Sequence, residues 1–154
     1  MWVVRQCPRR GLREWLLNAL TIYPFRCQLC TQRFLAFAGR PSFNPSREYE
    51  RLSVRYPVNF SATRSREQGM GAEGTMVDLS IRGCSIDSSV PVAKGALLRL
   101  QFRETSWDQP IEIEGAVVRS VLGKRKGVEF LKIGTDEEGR LRRVIETRLY
   151  SRPH

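Results

Sequence analysis

Only one histidine occurs in this 154-residue chain, and it is the last residue, His154. Terminal residues are seldom held in a folded site, so a Ser–His or Cys–His catalytic couple has no base to draw on. Phosphate-cradling P-loops and dinucleotide-binding glycine patterns are absent as well. Paired acids such as Glu112 and Glu114 fall on one strand face, where solvation is the ordinary state. These absences give the expectation of a chain that is not an enzyme and carries no cofactor. No run approaches the roughly 20 apolar residues that span a bilayer. The opening Met1-Trp-Val-Val-Arg5-Gln-Cys7 has no apolar region with a small-residue cleavage site, so the cytoplasm is the expected location. Cysteine is scarce too, limited to Cys7, Cys27, Cys30 and Cys84.

What the chain has in excess is arginine, unevenly placed. Residues 1–47 hold eight arginines against the single acid Glu14, a net +7. Residues 48–154 hold eighteen Lys/Arg against fifteen Asp/Glu, a net +3, which completes the overall +10. A basic N-terminal part suits a polyanion such as nucleic acid, an anionic membrane or an acidic protein. Arginines that simply solvate a helix face would give the same count.

Hydrophobic periodicity divides the chain. From 48 to 133 apolar residues recur with a period of two: Val58, Phe60 and Ala62; Val77, Leu79 and Ile81; Leu98, Leu100 and Phe102; Ile111 and Ile113; Val128 and Phe130. Glycine and proline clusters separate these segments, Trp107-Asp-Gln-Pro110 among them, so five or six short strands and a small antiparallel barrel are expected. The spacing of Leu141, Val144, Ile145 and Leu149 predicts a helix, with Thr135 and Glu138 as a capping box. Upstream, Leu12, Trp15, Leu16, Ala19 and Leu20 make the apolar stripe of a short amphipathic helix ending near Pro24. The expected organisation is an extension over 1–39, a linker over 40–47 and a barrel with its helix over 48–154.

Two motifs stand at the start of the β region. Arg51-Leu-Ser-Val-Arg55 supplies two guanidinium groups four residues apart. RxxxR alone carries little weight here, since it recurs at Arg99/Arg103 and elsewhere. Asp78-Leu-Ser80-Ile-Arg-Gly83 is rarer and occurs once. Alternation puts Val77, Leu79 and Ile81 inward and Asp78, Ser80 and Arg82 on the outer face. Gly83 then permits a positive φ or a close backbone approach. Arg51 and Arg55 fall just before a strand expected to begin near Tyr56, because Pro57 holds its predecessor extended.

In this order the two motifs closely resemble the signature of the PilZ domain, RxxxR followed by (D/N)xSxxG. Gly127-Val-Glu-Phe130 resembles that family's late barrel strand. The resemblance implies a mainly β fold, a six-stranded antiparallel barrel with a C-terminal helix, and cyclic di-GMP as ligand. It assigns binding to Arg51, Arg55, Asp78, Ser80 and Gly83. Arginine's planar fork suits phosphate oxygens and guanine O6 and N7, and an ionised Asp accepts from guanine N1–H and N2–H₂. An effector protein receiving the signal is implied by the family alone. One departure is Glu50, where many members carry another arginine. Its charge weakens the phosphate field or alters how many ligand molecules bind. Two other readings compete: nucleic-acid binding through the basic N-terminal segment, and a PilZ-fold interaction protein that has lost its ligand.

Cys7-Pro-Arg-Arg10 and Cys27-Gln-Leu-Cys30 resemble a zinc ribbon that has lost a ligand, with Arg10 where a cysteine belongs. A structural zinc takes four protein ligands, and Cys7, Cys27 and Cys30 supply three. Zinc binding, a metal-free ribbon-like module and a redox role for Cys27/Cys30 all stay open, and no bound metal is the expectation. Cys84 falls on the core side of its strand.

Overall fold

The computed structural model describes residues 4–37, 49–62, 71–105 and 108–150. The expected linker over 40–47, Trp107 and His154 lie outside them. The chain divides into two compact units, Met1–Glu50 with Leu149–His154, and Arg51–Arg148.

In the N-terminal unit β1 (Val4–Gln6), β2 (Ile22–Cys27) and β3 (Arg33–Phe37) form an antiparallel sheet in that order. Between β1 and β2 the chain makes α1 (Leu12–Leu17), continued by one 3-10 turn (Asn18–Leu20). The expected short helix is present, but no residue of α1 is buried.

The second unit is a closed antiparallel barrel of six strands. They are β4 (Leu52–Ala62), β5 (Ala72–Ser80), β6 (Gly83–Asp87), β7 (Leu97–Phe102), β8 (Ile111–Leu122) and β9 (Arg125–Lys132), paired around the ring as β4-β5-β6-β9-β8-β7. Closure removes every unpaired edge. The alternating apolar residues meet inside: Val58, Phe60, Leu98, Leu100, Phe102, Ile111, Ile113, Val128 and Phe130 are all buried. Ala62, expected inward, is exposed at the end of β4. Cys84 is fully buried, and burial pushes its thiol far up from its ordinary pKa.

Three expectations are corrected. β4 begins at Leu52, not Tyr56, so Arg55 is a strand residue and only Arg51 precedes it. Leu52, Val54 and Tyr56 are buried alternately with exposed Ser53, Arg55 and Pro57, which extends the period-two pattern upstream. Pro57 is tolerated because the β7 ladder ends beside it, at the Val58↔Phe102 pair. Next, β5 does not alternate evenly. A bulge between Met76 and Asp78 resets the pleat, so Met76 and Leu79 are buried while Val77 is only half-buried. Finally, the helix α2 (Thr135–Tyr150) has its first intrahelical bond from Glu138 N–H to Gly134 C=O, at 2.8 Å. Gly134 is thus the N-cap, and the Glu138 carboxylate pairs with Arg142 instead of closing a capping box on Thr135. Leu141 and Ile145 of α2 are buried as its periodicity requires.

Candidate functional site

The second motif is a β-hairpin, not one straight strand. Asp78 and Ser80 end β5, Ile81 and Arg82 form the two-residue turn, and Gly83 opens β6 opposite Ser80. Ser80 is buried, not displayed on the outer face with Asp78 and Arg82, and its hydroxyl donates to Gly83 C=O at 3.1 Å. The bulge and the turn together explain why simple alternation misplaces Ser80. Gly83 has no positive φ. It is required by proximity: a Cβ there would lie 2.2 Å from the Val128 carbonyl oxygen of β9. The glycine therefore lets β6 and β9 pair at Gly83↔Glu129 and Cys84↔Val128.

Asp78 faces outward and sits opposite Ser53 on one side and Ser85 on the other. Arg51 reaches across β4 to it, with Nη1 3.1 Å from Oδ1 and 3.4 Å from Oδ2, and the same nitrogen donates to Ser85 Oγ at 3.0 Å. One half of each motif is thus joined to the other. Arg55, four residues later on the same face of β4, is exposed and has no ion-pair partner among the described residues. It lines an open hollow of about 590 Å³ together with Tyr56, Val77, Asp87, Glu104, Arg125 and Arg148 among others.

Several residues around this hollow carry chemistry that no sequence motif marks. Arg125 grips Asp87 with two hydrogen bonds, 2.9 and 3.0 Å, and this holds the Asp87 carboxyl below its ordinary pKa. Tyr56 Oη receives a hydrogen bond from Arg148 at 3.0 Å and donates to Glu104 at 3.2 Å. Burial raises the Tyr56 pKa above 10.0 despite the adjacent Arg148. Lys124-Arg125-Lys126 reads in sequence as an exposed hairpin. In the structure Lys126 is buried, and its ammonium donates to the carbonyls of Ser88 and Lys124. The signal for Ser53 and Ser85 was available: Ser53 lies between the two motif arginines, and Ser85 lies two residues past the motif glycine.

Immediately before the barrel, Glu50 N–H donates to Gln28 Oε1 at 2.6 Å, and Tyr49 Oη accepts from Arg26 at 3.1 Å. Both bonds are internal to the N-terminal unit. There Cys27 and Cys30 share the β2–β3 turn, with Cys30 N–H directed at Cys27 Sγ at 3.5 Å. Cys7 N–H donates to Pro24 C=O, three residues along β2 from Cys27, a separation of roughly 10 Å at strand rise. Among the described residues no three His, Cys, Asp or Glu side chains cluster as metal ligands would. Nor is any described helix long and apolar enough to cross a membrane.

The family model for the PilZ domain matches residues 45–147. Among solved structures, the chain is similar to the inhibitor of motility MotI/DgrA of Bacillus subtilis, at 20% identity and a TM-score of 0.57, covering 85% of this chain and 66% of that one. It is also similar to YcgR of Escherichia coli, solved in complex with c-di-GMP, at 15% identity and a TM-score of 0.54, covering 94% of this chain and 72% of that one. At such identities the likeness is one of fold. No curated protein matches the sequence.

Proposed function

Because this chain belongs to the PilZ domain family, we propose that it is a noncatalytic receptor for cyclic di-GMP working in the cytoplasm. The observation that carries this reading is the unequal state of the two motif arginines. Arg51 is already held by Asp78 and Ser85, while Arg55 extends from β4 into an open hollow with no ion-pair partner among the described residues, the two acids that line the hollow, Asp87 and Glu104, being held by Arg125 and Arg148. An exposed guanidinium that no acid already holds is a ready receptor for a phosphodiester oxygen or for guanine O6 and N7. The c-di-GMP complex of E. coli YcgR, whose fold is similar, supports the choice of ligand.

Each motif residue then has a distinct task. Arg55 makes the first contact. Arg51 exchanges its hold on Asp78 for ligand phosphate, and the freed carboxylate accepts from a guanine N1–H and N2–H₂. Ser80 and Gly83 act one step back: the hydroxyl closes the hairpin turn, and the missing Cβ keeps β6 against β9. Arg55 belongs to β4, so the movement on binding falls on Arg51 and the segment before it.

Output follows from chain connectivity. Tyr49 and Glu50 are tied to Arg26 and Gln28, and the next residue is Arg51. Re-aiming Arg51 therefore pulls on the segment that ends the N-terminal unit, a change an effector protein can read. The N-terminal unit itself is read as a zinc-ribbon-like module without metal. Isothermal titration of the full chain with cyclic di-GMP, with GMP and GTP as controls, tests the function. Micromolar or tighter binding, about −8 kcal/mol or better, is expected. A folded protein that gives no heat with cyclic di-GMP would refute it.

A further inference from the structure

The apolar stripe of the N-terminal helix faces outward. Leu12, Trp15 and Leu16 fall at i, i+3 and i+4 of α1, the spacing by which a helix normally meets a core. Yet they are 74%, 64% and 58% exposed, and Leu20 on the following turn is 61% exposed. Phe37, 77% exposed, pairs with Ile22, two residues past Leu20, and so lies at the same end of the sheet. Four or five large side chains exposed together on so small a unit are unusual for a surface that meets only water.

The charge around them identifies what covers them. Residues 1–47 carry a net +7, and Arg9, Arg10 and Arg13 flank or lie on the helix itself. The single acid, Glu14, is taken up by Arg33 Nη2 at 2.5 Å, with both side chains mostly buried. Among the described residues of this segment the surface beside the helix is therefore apolar and cationic, with exposed Arg9, Arg10 and Arg13 and with Glu14 held internally. A Trp and leucines on one face with arginines beside them is the composition of a helix that lies in a membrane interface. The aromatic and aliphatic groups enter the headgroup–acyl boundary while the guanidiniums stay with anionic headgroups. An acidic protein would satisfy the arginines but leave an aliphatic face needing a matched groove. A lipid surface satisfies both without one.

We propose that the N-terminal unit docks peripherally on anionic lipid bilayers through Leu12, Trp15, Leu16 and Leu20, with Arg9, Arg10 and Arg13 on the headgroups. The helix is too short to span, so the attachment is reversible and salt-sensitive. This inference rests on the N-terminal unit alone and does not depend on cyclic di-GMP binding.

Co-sedimentation of the full chain with phosphatidylcholine vesicles, with and without phosphatidylglycerol, tests it. Binding is expected only with the anionic lipid, falling as salt rises. Trp15→Ala with Leu16→Glu should weaken binding roughly tenfold or more. Both positions are exposed, so an unchanged thermal transition is expected to show that the fold survives. Arg55→Ala should leave vesicle binding unchanged while weakening cyclic di-GMP binding, which separates this site from the barrel site. No association with phosphatidylglycerol vesicles would overturn the proposal, as would equal binding to neutral vesicles. A dimer dissolved by Leu16→Glu, without lipid binding, would assign the face to a second copy and also overturn it.

Discussion

Arg51 and Asp78 meet across the first two barrel strands, Nη1 to Oδ1 at 3.1 Å, and in doing so join the two motifs into one site. Both side chains are partly exposed, so the pair contributes little to stability, about 0–1 kcal/mol. Its importance is positional. The pair holds one guanidinium above Ser85 and leaves Arg55 as the open donor.

The first prediction follows from that contrast. Asp78→Ala should lower the unfolding free energy measured in urea only slightly, by about 1 kcal/mol or less, yet lower cyclic di-GMP affinity substantially. A double-mutant cycle with Arg51→Ala should give a larger coupling in ligand binding than in folding. Coupling confined to folding would show the pair to be structural.

Gly83 and Gly127 make a second test, of fold and not of ligand. Gly83→Ala places a Cβ against the backbone oxygen of Val128, which cannot give way, and should cost about 1–3 kcal/mol or more. At Gly127 the nearest atom, 2.4 Å from a built Cβ, is the Ser120 hydroxyl oxygen, which can rotate aside. Gly127→Ala should therefore cost clearly less. Denaturant unfolding of the two variants decides it, and the reverse order would contradict the packing argument.

Much of this architecture is legible in the sequence, and where it is not the reasons are local. Leu98, Leu100 and Phe102 alternate cleanly because β7 has one face in the core and one in water, and the structure places them so. The β5–β6 hairpin is less legible. Val77 is apolar whether it points in or out, so the bulge that resets the pleat leaves no mark in the hydrophobic pattern. Gly83–Asp87, buried at four of five positions, shows no alternation either. Lys126 reads as a surface cation because only the fold brings the Ser88 and Lys124 carbonyls to its ammonium. Within the candidate site the motif arginines, Asp78 and Gly83 are visible as residue types. The Asp87–Arg125 and Tyr56–Arg148–Glu104 partners come from distant segments and emerge only on closure of the barrel.

Tyr56 carries a pH dependence. Its folded pKa is raised by burial, so the stability from the neutral phenol is complete below pH 10.0 and is lost as pH rises through the folded value. Tyr56→Phe should remove that alkaline loss and cost about 1 kcal/mol at neutral pH through the missing hydroxyl bonds. Thermal unfolding against pH compares the two proteins. An identical alkaline fall in both would rule Tyr56 out as its source.

Asp87 acts with the opposite sign. Arg125 holds its pKa down, so its contribution is present above the ordinary carboxylate range and is lost as pH falls through the lowered folded value. Asp87→Asn should flatten the acid side of the stability profile slightly, since the pair is exposed. A steeper acid fall in the variant would contradict the assignment.

The most direct test of the receptor reading compares three full-length proteins in one calorimetric titration with cyclic di-GMP. Wild type should bind at micromolar affinity or better. Arg55→Ala should lose about 2–5 kcal/mol, as expected for a desolvated charge contact. Arg99→Ala should bind as wild type, although Arg99 and Arg103, both exposed, repeat the RxxxR spacing at another strand. Equal losses at Arg55 and Arg99, or a folded wild-type protein that does not titrate at all, would contradict the account.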